Sequence, residues 1–172
     1  MDGVATYFNK MRGDISSPPR PALKHMIWSL LGGAIAIAVI AAMTKATGRP
    51  WLMAPFGASC VLAFGLPDAP LAQPRNIVGG HLLSALVGLV CLNLFGADWW
   101  SMGLAVGLAI ASMQLTGTTH PPAGANPLLA MTGALSWSNL FTPVLAGSLT
   151  LVICALLFNN LAAGRRYPRY WL

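Results

Sequence analysis

The stretch Ile77–Ala97, IVGGHLLSALVGLVCLNLFGA, contains no Asp, Glu, Lys or Arg. A helix needs about 20 apolar residues to cross the hydrocarbon core of a membrane, so this stretch predicts a membrane span. The whole chain agrees, since 56% of its 172 residues are hydrophobic and only 8% are charged. A soluble domain carries roughly 25% charged residues. The composition therefore excludes an ordinary soluble protein and predicts a partner in the lipid bilayer.

The net charge of +6 does not indicate nucleic-acid binding. Such binding needs Lys and Arg clustered on one exposed face, and the long apolar stretches of this chain contain no such cluster. Its three cysteines lie inside apolar stretches without paired spacing, which is typical of small buried side chains. We therefore expect no nucleic-acid partner, no metal site and no cofactor.

The apolar stretches predict an all-α membrane protein with four transmembrane helices and two short re-entrant half-helices. The four spans are predicted at Met26–Thr44, Ile77–Ala97, Trp99–Thr116 and Leu140–Ala163. Two shorter apolar stretches, Trp51–Leu66 and Ala123–Leu135, are each interrupted by a proline. Apolar stretches of this length are typical of re-entrant or interfacial segments.

Basic residues in the two tails predict the orientation. They precede the first span and follow the last one, and cytoplasmic loops carry an excess of Lys and Arg. We therefore expect both termini in the cytoplasm, at the inner membrane of a bacterium, with an even number of crossings. Four spans with two re-entrant segments satisfy this condition, and six spans, two of them short, satisfy it too. The residues concerned are Lys10, Arg12, Arg20, Lys24, Arg165, Arg166 and Arg169.

Two halves of the chain resemble each other at an offset of 67 residues. Residues 55–63, PFGASCVLA, align with residues 122–130, PAGANPLLA, and Gly80 falls on Gly147. Duplicated transporters have this layout, with their sites at the interrupted segments. The repeats are parallel if the short segments are re-entrant, which we favour, and inverted if they cross. We predict repeats at about 26–97 and 99–163 within one membrane domain, 25–164, between tails at 1–24 and 165–172.

The most unusual local sequence is Gly117–Pro127, GTTHPPAGANP. Two prolines end an incoming helix, and Pro122 suits the first position of a new one. The first amides of a helix have no intrahelical acceptor, so a helix that starts inside a membrane offers an anion site. Pro55 predicts a second start of this kind. The residues expected to bind the anion at these two turns are His120, Pro122, Ala123, Gly124, Ala125, Asn126, Pro55, Phe56, Gly57, Ala58 and Ser59.

Two histidines, His81 and His120, are predicted at membrane depth. Histidine titrates near neutral pH, so either residue could donate to an anion or carry a coupled proton. The alternative is a neutral histidine that only hydrogen-bonds a neighbouring helix. Arg75, beside Asn76, begins a span and predicts either a snorkelling side chain or an electrostatic funnel for an anion. Two histidines without Cys or carboxylate neighbours are a poor metal site.

The segment Thr119–Ala125, THPPAGA, resembles the signature of the HPP family of small integral membrane proteins. The likeness extends over about residues 22–163 and includes residues 54–59, APFGAS, and 74–81, PRNIVGGH. Members of that family are four-helix membrane proteins, and plant plastid and cyanobacterial members are associated with nitrite transport. The resemblance thus implies nitrite as the cargo. It points to His120, Pro121, Pro122, Arg75, Asn76 and His81 as functional positions.

The residues themselves predict passage of a small monovalent inorganic anion, by a channel or a proton-linked carrier that is not an enzyme. No nucleophile with a base occurs at a recognisable spacing. Four spans enclose a path only thinly, which favours a homo-oligomer. The alternative is a non-transporting membrane scaffold that binds partner helices through small residues spaced four apart. Those residues are Gly80, Ser84 and Gly88 on one span and Gly103, Gly107 and Ala111 on another.

Overall fold

A computed structural model describes residues 2–13 and 15–172, and the regular structure of those residues is all helical. Met1 and Asp14 of the predicted N-terminal tail lie outside the described residues. Short turns of 3-10 helix occupy Lys10–Arg12, Pro70–Ala72, Pro121–Ala125 and Trp137–Leu140, and wider π turns occupy Val61–Gly65 and Phe141–Leu145. The helices are α1 (Asp2–Asn9), α2 (Leu23–Thr47), α3 (Pro55–Cys60), α4 (Pro74–Phe95), α5 (Trp99–Leu115), α6 (Asn126–Met131) and α7 (Ala146–Asn160).

Three helical stretches of the described chain are long and apolar enough to cross a membrane: Leu23–Thr47, Pro74–Phe95 and Trp137–Asn160. They match three of the four predicted spans to within a few residues. The fourth, α5, has 17 residues and is a shorter apolar helix. Its length is about 26 Å at ~1.5 Å per residue, against about 30 Å of hydrocarbon in a typical bilayer.

Local chemistry explains where several of these helices begin and end. Pro74 takes the first position of α4, where its missing N–H removes no hydrogen bond. Asp98 caps α5, because its carboxylate accepts from the Trp99 backbone N–H at 2.7 Å while Ser101 Oγ accepts from Asp98 N at 2.9 Å. Gly48 ends α2 at φ 65°, a left-handed conformation that glycine adopts without strain. These are sequence-local devices, and for that reason the limits of α2, α4 and α5 are predictable.

The first broken segment, residues 51–65, runs back along α2 for most of its length. At one end, the backbone N–H of Trp51 donates to Thr44 Oγ1 at 3.1 Å. At the other end, His25 Nε2 donates to the carbonyl oxygen of Gly65 at 2.9 Å. Thr44 and His25 are about 28 Å apart along the axis of an α-helix. The segment therefore begins near the C-terminal end of α2 and finishes near its N-terminal end.

The second broken segment, residues 118–135, follows α4 from its beginning towards its end. Ser84 Oγ donates to the carbonyl oxygen of Ala123 at 2.6 Å. Farther along, Met131 packs in one apolar cluster with Cys91, near the end of α4. The two broken segments thus run in opposite senses through the molecule.

Contacts distinguish the two ends of the bundle. Arg165, which follows α7, donates through Nη2 to Nδ1 of His25 at 3.2 Å, so both tails leave the bundle together. We call this end, formed by the start of α2, residues 63–76 and the residues after α7, the tail end. Leu135 closes the second broken segment in a cavity shared with Pro50. That opposite end, where α2 also finishes, is the far end.

The broken segments do not bear out the prediction of re-entrant half-helices. A re-entrant segment returns to the end where it starts, whereas residues 51–65 run from the far end to the tail end and residues 118–135 run from the tail end to the far end. Extended residues explain the reach of such short segments. An extended residue advances about 3.3 Å, against about 1.5 Å in a helix, so the irregular backbone beside each proline supplies the missing length.

The two halves of the chain pack against each other rather than side by side. Helix α2 lies on α7, and α5 lies on α4, so the first helix of each half contacts the last helix of the other. A Cβ added at Gly80 would lie 2.8 Å from the carbonyl oxygen of Thr118, and one added at Gly147 would lie 2.6 Å from that of Trp51. Both pairs are related by the same offset of 67 residues. Glycine is required at both positions because a backbone carbonyl cannot move aside.

Candidate functional site

The polar centre of the molecule lies where both broken segments meet α4. Ser59 is supplied by α3, His81 by α4 and His120 by the extended residue before Pro121. His120 has φ −139° and ψ 102°, the extended conformation that a following proline imposes. All three side chains are fully buried. Residues far apart in the chain thus converge on one point, as the sequence predicted for the two turns.

Ser59 bridges the two histidines. Its Oγ lies 2.9 Å from Nε2 of His81 and 2.8 Å from Nε2 of His120. The two imidazole rings are 5.1 Å apart between centroids and meet edge to face. The serine hydroxyl carries one proton and two lone pairs, so it can accept from one ring and donate to the other.

The surrounding acceptors and donors settle which ring donates. Nδ1 of His120 lies 2.8 Å from the carbonyl oxygen of Leu71, which can only accept, so Nδ1 carries the proton and Nε2 is bare. On the other side, the Asn126 amide donates through Nδ2 to the carbonyl oxygen of His81 at 2.9 Å and to Nδ1 of the same residue at 3.1 Å. His81 therefore carries its proton on Nε2.

These assignments give one directed chain of hydrogen bonds. Asn126 donates to His81, His81 donates to Ser59, Ser59 donates to His120, and His120 donates to Leu71. Both imidazoles are neutral in this arrangement. A second acceptor for the Ser59 hydroxyl, the carbonyl of its own helix at Pro55, lies farther away at 3.3 Å. We call Asn126, His81, Ser59 and His120 the histidine cluster.

One atom of the histidine cluster has no partner. Asn126 Oδ1 is buried and accepts no hydrogen bond from the described residues. Its amide cannot be turned round, because Nδ2 is needed as the donor to the His81 carbonyl. A buried acceptor without a donor is costly, and in native structures it calls for an explanation such as a bound molecule.

The predicted anion sites at free backbone amides are wrong for three of those amides. The N–H of Phe56 donates to the Met53 carbonyl at 3.0 Å, and that of Ala123 donates to the His120 carbonyl at 2.9 Å. Gly57 likewise donates to the residue three before it, Ala54, at 3.1 Å. Tight turns that precede each short helix supply these acceptors, and sequence periodicity does not show such turns.

The other turn residues surround the histidine cluster without joining it. Pro55, Phe56, Pro122 and Ala123 are buried, and Phe56 meets the His81 ring edge to face with centroids 5.2 Å apart. Gly57 and Ala58 are exposed, Gly124 and Ala125 are half-buried, and a Cβ added at Gly57 or Gly124 would meet nothing within 4 Å. These two glycines therefore leave open space rather than a tight contact.

Arg75 and Asn76 lie outside the histidine cluster, towards the tail end. Arg75 donates through Nη2 to the carbonyl oxygen of Thr116 at 2.9 Å. Asn76 donates through Nδ2 to the carbonyl oxygen of Thr119 at 2.9 Å. Both side chains thus hold the backbone that leads into His120, which is a positioning role.

Sequence reasoning missed the layer that closes the cluster at the tail end. Tyr167, in the C-terminal tail, donates its hydroxyl to the Ala72 carbonyl at 2.8 Å, next to the Leu71 carbonyl that receives the His120 proton. Tyr170 donates to Asn76 Oδ1 at 3.1 Å. Burial raises the pKa of the Tyr167 phenol above its usual range, so it stays a donor. No local signal marks this tail, because its basic residues indicate only orientation.

The cluster is suited to proton relay rather than to metal binding. Each link is a hydrogen bond between groups that can both donate and accept, so a proton added at one histidine can leave from the other by shifting every link. The described residues contain no group of three or more His, Cys, Asp or Glu side chains that could hold a metal ion.

Comparison with known proteins gives the family. The description "HPP, transmembrane region" matches residues 18–168. Two proteins of Dictyostelium discoideum, each named only as a transmembrane protein, are 42% and 38% identical to this chain over 96% and 98% of its length. The matched regions cover 57% and 64% of those relatives. The bacterial inner membrane and the cytoplasmic termini stay predictions.

No solved structure matches the chain. The family match covers both broken segments and every residue of the histidine cluster. It bears out the resemblance that the THPPAGA segment carries, although neither relative's name states a cargo. The chain belongs to the HPP family of transmembrane proteins.

Proposed function

We propose that this chain is a membrane transporter for a small monovalent anion, nitrite first, which moves together with a proton past the histidine cluster. The observation that carries the proposal is the bridge of Ser59 between two buried, neutral histidines. In support, none of α2–α7 contains an Asp or Glu residue. The chemistry is that of a site that accepts one proton and one negative charge together.

Charge balance explains the coupling. A proton on either imidazole would create a buried positive charge, which is costly without a counter-ion. A resident carboxylate would supply that counter-ion, but the helices hold none. An anion alone would meet no positive charge, because both histidines are neutral in the observed chain of hydrogen bonds. Each partner therefore favours the entry of the other.

The proposed path crosses the membrane beside two inverted repeats, each with three crossings. The opposite senses of the two broken segments support this arrangement, as do the equivalent contacts of Gly80 and Gly147. Inverted repeats with broken helices place their sites near the midplane, at the repeat interface. The histidine cluster fits that place, since each half contributes two of its four residues.

The direct test is nitrite flux into vesicles that contain the purified protein. We expect uptake above that of empty vesicles, accelerated when the outside is more acidic, and no uptake of urea or cations. Ser59→Ala, which breaks the bridge but keeps both histidines, should lower the rate roughly fivefold to 150-fold, the factor equivalent to the ~1–3 kcal/mol cost of unpaired buried groups.

Ser148→Ala is the matched control, because Ser148 is also fully buried on a membrane helix but donates to its own helix at Leu145 O, 3.0 Å away. It should keep the wild-type rate. Uptake no faster than in empty vesicles, or equal rates for Ser59→Ala and wild type, would overturn the proposal.

A second candidate function, a membrane scaffold, is favoured by one observation. Gly103 and Gly107 of α5 are exposed, and an added Cβ at either would meet nothing within 4 Å, so they leave room for a partner helix. Gly80 and Gly88 pack inside the chain and do not serve this role. If the chain is a scaffold, Gly107→Leu should abolish co-purification of a partner while Ser59→Ala leaves it intact.

A further inference from the structure

A cavity of about 440 Å³ opens at the tail end, between the start of α2 and the turn that follows α7. It is separate from the histidine cluster, and the proposed transport does not use it. Its walls combine cationic, aromatic and small side chains. They are formed by Ala22, Lys24, His25, Trp28, Leu161, Ala162, Ala163, Gly164 and Arg165.

Two cations at this cavity have no acidic partner among the described residues. The ion pair found there joins Arg169 to Asp68, at 2.6 Å. Arg165 instead donates through Nη1 to the Phe64 carbonyl and to Asn159 Oδ1, both at 2.9 Å. Burial lowers the pKa of this guanidinium, so its charge is short of compensation. A bound anionic group would supply that compensation.

An unpaired donor lies in the wall of the same cavity. Trp28 stacks on Phe158 with ring centroids 4.6 Å apart, and its indole Nε1–H is buried without an acceptor in the described part of the chain. Trp is enriched at the level of lipid headgroups because its ring is apolar and its N–H is a donor. An oxygen atom bound in the cavity would satisfy that donor.

From these observations we propose that the cavity binds the headgroup of an anionic phospholipid, with its phosphate between Lys24, Arg165 and the indole of Trp28. Exposed apolar side chains next to the cavity provide a surface for the acyl chains, which a free phosphate would not need: Leu23 is 67%, Ile27 50%, Leu157 68% and Leu161 75% exposed. Basic pockets between membrane helices are typical sites for such headgroups.

Thermal unfolding of the purified protein in detergent tests this proposal. Added phosphatidylglycerol should raise the Tm by about 2–4 °C, the size expected for a modest ligand on a chain of this length, and phosphatidylcholine should not. Trp28→Phe keeps the aromatic contact and removes only the N–H, and Lys24→Gln removes one charge. Each variant should lose most of the shift.

Lys45→Gln is the matched control, because Lys45 is an exposed lysine at the opposite end of the same helix. It should keep the full shift. Equal shifts with the two lipids, or an equal loss in Lys45→Gln, would overturn the proposal. A shift of the same size with inorganic phosphate alone would overturn the assignment to a lipid. Nitrite flux need not change in these variants, so the outcome is independent of the proposed transport.

Discussion

Helices α4 and α7 hold equivalent places in the two halves of the molecule but carry different chemistry. Each presents a glycine, Gly80 or Gly147, to a backbone carbonyl of the other half. At the next position, α4 has His81 and α7 has Ser148, and both side chains are fully buried. His81 joins side chains from both broken segments, whereas Ser148 only donates within its own helix. The packing is shared and the polar chemistry is not.

The broken segments show the same division. Ser59 and Asn126 are 67 residues apart, and both belong to the histidine cluster. His120, by contrast, corresponds to Met53, an apolar side chain in the core. A duplicated scaffold thus supplies two similar crossing places, and a few polar substitutions decide that only one of them becomes a site.

The largest expected effect concerns which side of the membrane each broken segment reaches. With Cys60, Cys91 and Cys154 replaced by alanine, Leu66→Cys and Ser138→Cys should react with an impermeant thiol reagent from opposite sides. The reason is that the two segments run in opposite senses and finish at opposite ends of the bundle.

The tail provides the reference for this labelling. A Trp171→Cys variant should react from the same side as Leu66→Cys. Labelling of Leu66→Cys and Ser138→Cys from one side would restore the re-entrant arrangement and remove the inverted relation between the halves.

The next effect tests whether the packing of α4 and α7 is equivalent. Gly80→Ala and Gly147→Ala should each destabilise the protein by about 1–3 kcal/mol, because the added Cβ meets a carbonyl oxygen that cannot move. Thermal unfolding measures both. Gly107→Ala, on an open face of α5, should gain up to about 1 kcal/mol from better helix propensity. A loss confined to one of the two buried glycines would show that the halves do not pack alike.

The smallest effect concerns an asymmetry outside the cluster. Arg75 has Thr142 at its equivalent position, and its guanidinium contacts the Thr116 carbonyl rather than a histidine. We expect Arg75→Gln to change nitrite flux by only about twofold, equivalent to the ~0.5 kcal/mol of a weak exposed hydrogen bond. A loss as large as that of Ser59→Ala would instead give Arg75 a direct role in attracting the anion.

Much of the site was predictable because its residues carry local signals. Two adjacent prolines force His120 into an extended conformation, and an apolar helix makes His81 conspicuous as a buried polar residue. The bridge between them was not predictable, since Ser59 is small and common. Only its position, one turn into α3 and facing α4, turns its hydroxyl into the link. The anion sites at free amides failed because turn hydrogen bonds depend on backbone geometry that periodicity does not report.

By itself, the sequence determined the membrane character, three long spans and the repeated positions at an offset of 67 residues. These follow from composition, apolar length and helix caps, which act within a few residues of chain. Tertiary structure alone decided that the broken segments run through the bundle in opposite senses, and that Asn126, His81, Ser59 and His120 form one chain of hydrogen bonds. Both depend on contacts between residues tens of positions apart, where direction and distance, rather than residue type, determine the outcome.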